Sequence, residues 1–352
     1  MFVKVSIKFF FFKLFLNFGA SRVNHITVFM KNNDEILNLF EHYLGQLQLP
    51  KEPQRLYEPI IYSMSGGGKR LRPVLLLLCC EAFGGDATAA LSAAAAVEMF
   101  HNFTLLHDDI MDNAAVRRGK PSVQARWGEN VAILSGDTMM IYSYKLLSQI
   151  PAEKLPMVME VFTSMALQVC EGQQYDMDFE ERQQVSVVDY MQMIELKTAA
   201  LLAGAATIGA ILGGASATDC RKVYRFAQEL GLAFQLQDDL LDSYGDERLG
   251  KKIGGDILEG KKTCLMLNAM SRATEEDRDI LRHTHLDTTL SDEEKILRVK
   301  EVYNRYDIQR VIEQQISLRF DKALSVLDDL SIDGDSAEHL RVFARGLMGR
   351  KK

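Results

Sequence analysis

Along most of the chain, apolar side chains recur at intervals of three and four residues, the spacing that lays one stripe along an α-helix. Ile36, Phe40, Tyr43 and Leu47 form the first stripe, behind Asn33 and Asp34 as candidate N-caps. The run RPVLLLLCCEAFGG starts with Pro73, whose missing N–H is tolerated in a first helical turn, and stops at Gly84-Gly85, which suits a C-terminal cap. The same reading predicts helices over SAAAAVEMFHNFTLLHDDIMD, VAILSGDTMMIYSYKLLSQI, KLPMVMEVFTSMALQVCEGQQYD and VYRFAQELGLAFQLQDDLLD, and through the tail from Asp292. No alternating strand runs closed by Asn-Gly turns occur, so no sheet of any size is expected. With seven prolines and no Ser/Gly/Pro-rich linker, the prediction is an all-α fold, one large helical bundle around a central cavity.

Two stretches qualify that picture. Residues 1–29 contain FFFFKLFLNF, an apolar run that Lys13 breaks and that fits neither a secretory segment nor a membrane span. They are read as an upstream extension or an organelle-import segment, and the fold is assigned to residues 30–352 as one domain. The uncharged stretch TAALLAGAATIGAILGGASAT is long enough to cross a bilayer. It is built from Ala and Gly and follows the charged ELK, so a helix buried in a soluble bundle is expected, without stable membrane insertion.

Length and 47% hydrophobic content allow a large core. A net charge of -7 and a pI near 5.6 argue against a nucleic-acid partner, leaving only local basic clusters to hold an anion. The five cysteines form no CxxC pair or metal-ligand spacing, which points to buried thiols in a reducing cytoplasm.

The candidate chemistry begins with FTLLHDDIMD, where Asp108 and Asp112 share a helix face and Asp109 turns away. Like charges at that spacing repel, so something must offset them. FQLQDDLLD repeats the pattern at Asp238, Asp239 and Asp242, again at the end of an apolar helix. Two such helix ends facing across a cavity present hard oxygen ligands that favour Mg²⁺, an ion that bridges one or two carboxylates to substrate phosphates. Cationic groups flank them. SGGGKRLRP supplies Lys69, Arg70 and Arg72 on a glycine turn that is no Walker loop and reads as an anion cup at a helix start. Arg117 and Arg118 follow the first acidic motif, and their forked guanidiniums suit phosphate oxygens. GKKIGGDILEGKKT carries Lys251, Lys252, Lys261 and Lys262 with four glycines, and is read as a closing lid or as an ordinary mobile loop.

In this order, GGGKRLRP, HNFTLLHDDIMDNAAVRRG, GQQYD, ELKTA, FQLQDDLLD and GGDILEGKKT resemble the trans-isoprenyl diphosphate synthases, the polyprenyl synthetase family, over essentially residues 33–352. The resemblance implies an isoprenoid-synthase bundle and a Mg²⁺-dependent prenyltransferase joining an allylic diphosphate head to tail to isopentenyl diphosphate. It implies that Asp108 and Asp112 bind metal on the allylic diphosphate and that Asp238, backed by Asp242, binds more, about three ions in all, with Asp109 and Asp239 completing the motifs. Arg117, Lys197 and Lys251 would hold the allylic diphosphate; Lys69, Arg72, His101 and Arg118 the isopentenyl diphosphate, with Lys261 nearby. Thr198 and Gln235 would line the reacting end. A homodimer is also implied.

Phe103 and Phe100 lie five and eight positions before Asp108, and are read as a floor under the growing chain or as ordinary core packing. An aromatic at Phe103 followed by the small Thr104 resembles the short-chain enzymes that make farnesyl or geranylgeranyl diphosphate. Alternatives are a longer-chain synthase and a non-catalytic regulatory subunit, although all six aspartates are present. A terpene cyclase needs no second diphosphate pocket, and a histidine-metal phosphohydrolase leaves the doubled aspartate motif unexplained.

Overall fold

Helices α3 (Leu71–Ala82) and α9 (Ala200–Gly213) pack against each other at the centre, and both are buried on nearly every side. That explains why their sequences show apolar runs rather than stripes: a helix wrapped by neighbours has no solvent face to keep polar. The computed structural model describes residues 31–245 and 253–349. The expectations for residues 1–29 and for Lys251 and Lys252 lie outside the described residues.

Around this centre run α1 (Asn33–Gln46), α2 (Gln54–Met64), α4 (Leu91–Met111), α5 (Val123–Trp127), α6 (Glu129–Leu147), α7 (Leu155–Glu181), α8 (Val187–Ile194) and α10 (Ala217–Tyr244). The second half continues through α11 (Gly255–Glu259), α12 (Cys264–Arg272) and α13 (Glu275–His283) to α14 (Asp292–Arg305), α15 (Ile308–Leu327) and α16 (Gly334–Met348). Helix α4 packs on α6, and α10 lies between α9 and α15. The core divides into a large cluster around α3, α4, α7 and α9 and a smaller one joining α8, α10, α12 and α14. Between α8 and α9 the chain makes one π-helical turn, Glu195–Ala199.

The predicted helices are present, with three differences. The first is capped by Asn32, not Asn33 or Asp34: its side chain accepts from the N–H groups of Asp34 and Glu35, and Glu35 reaches back to its N–H, a reciprocal cap. The tail from Asp292 is three helices rather than one. A two-residue hairpin, β1 (Val116–Arg117) with β2 (Lys120–Pro121), interrupts the helical order. Its turn residues Arg118 (φ 52°) and Gly119 (φ 74°) are both left-handed, as a tight turn matching strand twist requires. Two segments are long and apolar enough to cross a membrane, Ala87–Met111 and Val187–Gly213, yet 78% and 72% of their apolar windows are buried inside the protein.

Candidate active site

Both acidic motifs occupy the C-terminal turns of long helices, α4 and α10. A helix carries its partial negative charge at that end, so carboxylates there face an adverse dipole as well as each other. Cations offset this. Arg117 donates from Nε to Asp109 Oδ1 (2.8 Å) and from a terminal nitrogen to Asp108 Oδ2 (3.2 Å). On the other side the Lys197 ammonium lies 3.4 Å from Asp108 Oδ1 and 2.6 Å from Asp176 Oδ2. Burial, with Asp108 beside it, raises the Asp112 carboxyl, which Lys197 and Lys261 partly counter.

Lys261 ties the two motifs together. Burial disfavours its ammonium, but Asp176, Asp256 and Asp239 outweigh that and raise its pKa, while its charge also acts on Asp112. The charge of Lys261 therefore acts on both helix ends. That region is rich in carboxylates: burial pushes Asp239 up to about 6, and burial with Asp242 close by pushes Asp256 up to about 7. Among the described residues no three carboxylate, imidazole or thiolate side chains converge into a ready-made metal cage. Separate carboxylates on facing helix ends match Mg²⁺, which keeps several waters and takes its remaining ligands from phosphates.

The paired motifs are not uniform. Asp109 and Asp239, expected among the metal-binding aspartates, are buried and already engaged, Asp109 by Arg117 and Asp239 by the Tyr190 hydroxyl and Gln235 Nε2 (3.0 Å). The helical period turns the middle aspartate of each motif inward while Asp108, Asp112, Asp238 and Asp242 stay partly open. Asp242 in addition accepts from Asp256 N (3.0 Å), which fastens α11 to the end of α10.

The basic groups also sort by direction. At the left-handed turn Arg117 points back to the first acidic motif, whereas Arg118 donates to Gly67 O of the glycine loop. Both line an open cleft of about 440 Å³ with Gly66 and Lys120. Arg72 is lowered to about 10 by burial and by Arg118, against support from Glu98 and Asp238. Its Nε is buried with no hydrogen-bond partner, and such an orphaned guanidinium N–H is suited to an anionic oxygen. Burial and the positive charges of Arg72, Arg118 and Arg117 push His101 well down, so its ring is neutral and Nε2 accepts from Arg72 (3.1 Å). Lys69 is exposed on the same loop.

Two residues read from sequence as part of the cationic surface have other duties. Arg70 is buried in a left-handed conformation (φ 46°) and spends its fork on Glu98 (2.6 Å), Glu41 (2.8 Å) and Met64 O (2.8 Å), so it anchors the loop from beneath. Lys262 donates to the carbonyls of Phe179 (2.5 Å), Glu180 (3.1 Å) and Arg182 (2.9 Å), capping the C-terminus of α7.

The model of the polyprenyl synthetase family matches residues 53–305. This chain belongs to the polyprenyl synthetase family. Geranylgeranyl diphosphate synthase of Methanosarcina mazei is 42% identical over 250 residues, 69% of this chain and 77% of that protein. A short-chain isoprenyl diphosphate synthase of Methanothermobacter thermautotrophicus is 41% identical over 256 residues, 72% and 78% of the two chains. A crystal structure of a geranylgeranyl pyrophosphate synthase superposes with a TM-score of 0.87 at 41% identity, covering 92% of this chain and all (100%) of the other. Fold and motif order thus agree with that family, and the chain is a prenyltransferase catalysing short-chain prenyl condensation.

In this polyprenyl synthetase aromatic rings lie five and eight positions before Asp108 on α4. Phe103 meets His107 edge-on (ring centroids 4.7 Å apart) and Phe100 at a tilt (5.4 Å). Behind them Phe100 meets Phe162 (5.5 Å), which meets Tyr144 (5.3 Å). Phe103 is thus part of a continuous run of edge-on and tilted ring contacts, with Phe100 behind it. Thr104 bonds its hydroxyl to His101 O (2.8 Å), leaving a small side chain beside the ring. The sequence reading missed Phe162, Tyr144, Asp176 and Tyr190. Asp176 sits in the quoted GQQYD and so was within reach, but the others carry no motif and are brought here by packing between helices.

The π-helical turn explains how Lys197 and Thr198 enter the site. Helices α7 and α10 press against it so closely that a Cβ on Gly172 would stand 2.2 Å from Lys197 N, and one on Gly231 2.8 Å from Ala199 Cα. A π-turn inserts an extra residue and shifts the side-chain phase, which aims Lys197 at Asp108 and brings Thr198 to Gln235 (3.0 Å).

Proposed function

We propose that the enzyme extends an allylic diphosphate with isopentenyl diphosphate to farnesyl or geranylgeranyl diphosphate, with Asp108, Asp112, Asp238 and Asp242 holding Mg²⁺ on the allylic diphosphate. The observation that carries this is that Arg117 and Lys197 lie against Asp108 while the charge of Lys261 acts on both acidic helix ends. When bound, Mg²⁺ neutralises the departing diphosphate and so lowers the barrier to breaking the allylic C–O bond. Arg117 and Lys197, already beside Asp108, hold the allylic diphosphate, with Lys251 as a further cation. Lys69, Arg72 and Arg118 hold the isopentenyl diphosphate, Arg72 through its unpaired Nε–H, while neutral His101 orients Arg72. Lys261 serves between the two sites.

Loss of diphosphate leaves an allylic cation that water would trap, and the apolar helix walls exclude solvent. The oxygen dipoles of Thr198 and Gln235 face the developing charge. The isopentenyl double bond then attacks the cation, the new carbon–carbon bond forms, and the proton lost from the condensed product passes to the released diphosphate. Asp109 and Asp239 act as anchors: one holds Arg117, the other holds Gln235. The relatives named as geranylgeranyl synthases and the ring at Phe103 support a short product over a long one.

Burial of both membrane-length segments supports a cytoplasmic enzyme without stable membrane insertion. The apolar row Leu134 and Ile141 on α6 and Leu167 on α7, 58%, 64% and 60% exposed, supports pairing into a homodimer. The test is incubation of purified protein with radiolabelled isopentenyl diphosphate, an allylic primer and Mg²⁺, with products sized by chromatography. Labelled C15 or C20 prenyl diphosphate is expected. No Mg²⁺-dependent product would overturn the reading.

A further inference from the structure

A chain of hydrogen bonds runs from the protein interior to the π-turn. Tyr190 on α8 is buried, and its hydroxyl donates to Asp239 Oδ2. Asp239 Oδ1 accepts from Gln235 Nε2 (3.0 Å), one helical turn earlier on α10. Gln235 Oε1 in turn accepts from the Thr198 hydroxyl (3.0 Å) on the π-turn. Tyr190 and Asp239 are enclosed, whereas Gln235 and Thr198 are half-buried.

The direction of each bond follows from the one before it. A carboxylate can only accept, so Gln235 must turn its NH₂ toward Asp239 and its carbonyl toward Thr198. The carbonyl cannot donate, so the Thr198 hydroxyl must spend its single hydrogen on it. What Thr198 then offers the cavity is lone pairs, the negative end of its dipole. With the amide reversed, the hydrogen of Thr198 would be free to turn toward the cavity, where it would oppose a positive charge. In a dry cavity the sign of one such dipole matters, because little solvent reorients to mask it.

We propose that Tyr190 is a positioning residue for the prenyl condensation: by holding Asp239 it sets the amide of Gln235 and hence keeps the oxygen lone pairs of Thr198 facing the allylic carbon. This rests on the assignment of Thr198 to the reacting end. Removing the Tyr190 hydroxyl deprives a buried carboxylate of one donor and frees it to rotate away from Gln235. The loss falls on the cationic transition state and not on diphosphate binding, because none of the cationic diphosphate ligands belongs to the chain.

The test is a double-mutant cycle of Tyr190→Phe and Thr198→Val, reading kcat, both KM values and the Mg²⁺ concentration for half activity. Expected for Tyr190→Phe is a fall in kcat of about tenfold or more, with KM and Mg²⁺ requirement within about twofold of the parent. Expected for the double variant is a kcat no lower than that of Thr198→Val alone, since without the hydroxyl nothing remains to orient. Additive losses, an unchanged kcat in Tyr190→Phe, or a raised Mg²⁺ requirement would overturn the proposal, the last by making Asp239 part of the metal site. Should Tyr190→Phe fail to fold, Tyr190→Met, which also removes the hydroxyl without changing a charge, takes its place in the same cycle with the same expectations. A fully active Thr198→Val would remove its assigned role instead, and an inactive parent would remove the functional reading as a whole.

Discussion

Arg70 shows how one side chain can be read correctly as a charge and wrongly as a ligand. Its neighbours Lys69 and Arg72 alternate around it, and nothing local distinguishes the three. The buried Glu98, far away in sequence, decides the matter by claiming the guanidinium at 2.6 Å. Arg70→Met strands that carboxylate and is expected to lower stability by about 3–5 kcal/mol, measured by denaturant unfolding, since removing one partner leaves a buried charge uncompensated. The same variant should raise KM for isopentenyl diphosphate, because the glycine loop loses its anchor. Phe103, five positions before Asp108, reads as a floor or as core packing, and its buried ring meets Phe100 and His107. Phe103→Ala opens space above Phe100 and is expected to lengthen the product by at least one C5 unit, seen by chromatography; an unchanged product would place the stop elsewhere.

Helix ends, more than helices, carry the chemistry. The stripes that announced α1, α4, α7 and α10 depend only on the 3.6-residue period, which is why they were legible. The π-turn was not legible, since ELKTA has no local signature of an inserted residue. It exists because α7 and α10 offer glycines that admit its backbone. Gly172→Ala places a methyl 2.2 Å from Lys197 N, so the turn must shift. A fall in kcat of about tenfold or more and a lower melting temperature are expected together. Gly45→Ala, which meets nothing within 4 Å, is the matched control and should change neither. The β1–β2 hairpin escaped for a similar reason: its turn is Arg-Gly where Asn-Gly is the recognisable form.

Charges tie distant parts of the molecule together at the acidic motifs: Lys197 meets Asp108 on α4, and Lys261 acts on Asp112 after α4 and on Asp239 of α10. Asp242 fastens α11 to the end of α10. Leu134 and Ile141, two turns apart on one face of α6, are 58% and 64% exposed, and Leu167 on α7 is 60% exposed. Ile141→Glu is expected to convert a dimer to a monomer in light scattering coupled to size exclusion. A monomeric parent protein would defeat that expectation.

Residue order alone determined the helical class, the burial of α9, and the presence of two acidic motifs with cations between them, because these follow from periodicity and from the charge each side chain always carries. The same period turns the middle aspartate of each motif, Asp109 and Asp239, into the interior. Tertiary structure decided the partners: that Arg70 serves Glu98, that Lys262 caps α7, and that Tyr190 reaches Asp239 from another helix. Those contacts span long sequence separations and depend on how closely helices approach, a quantity set by packing of all side chains together and encoded in no short segment.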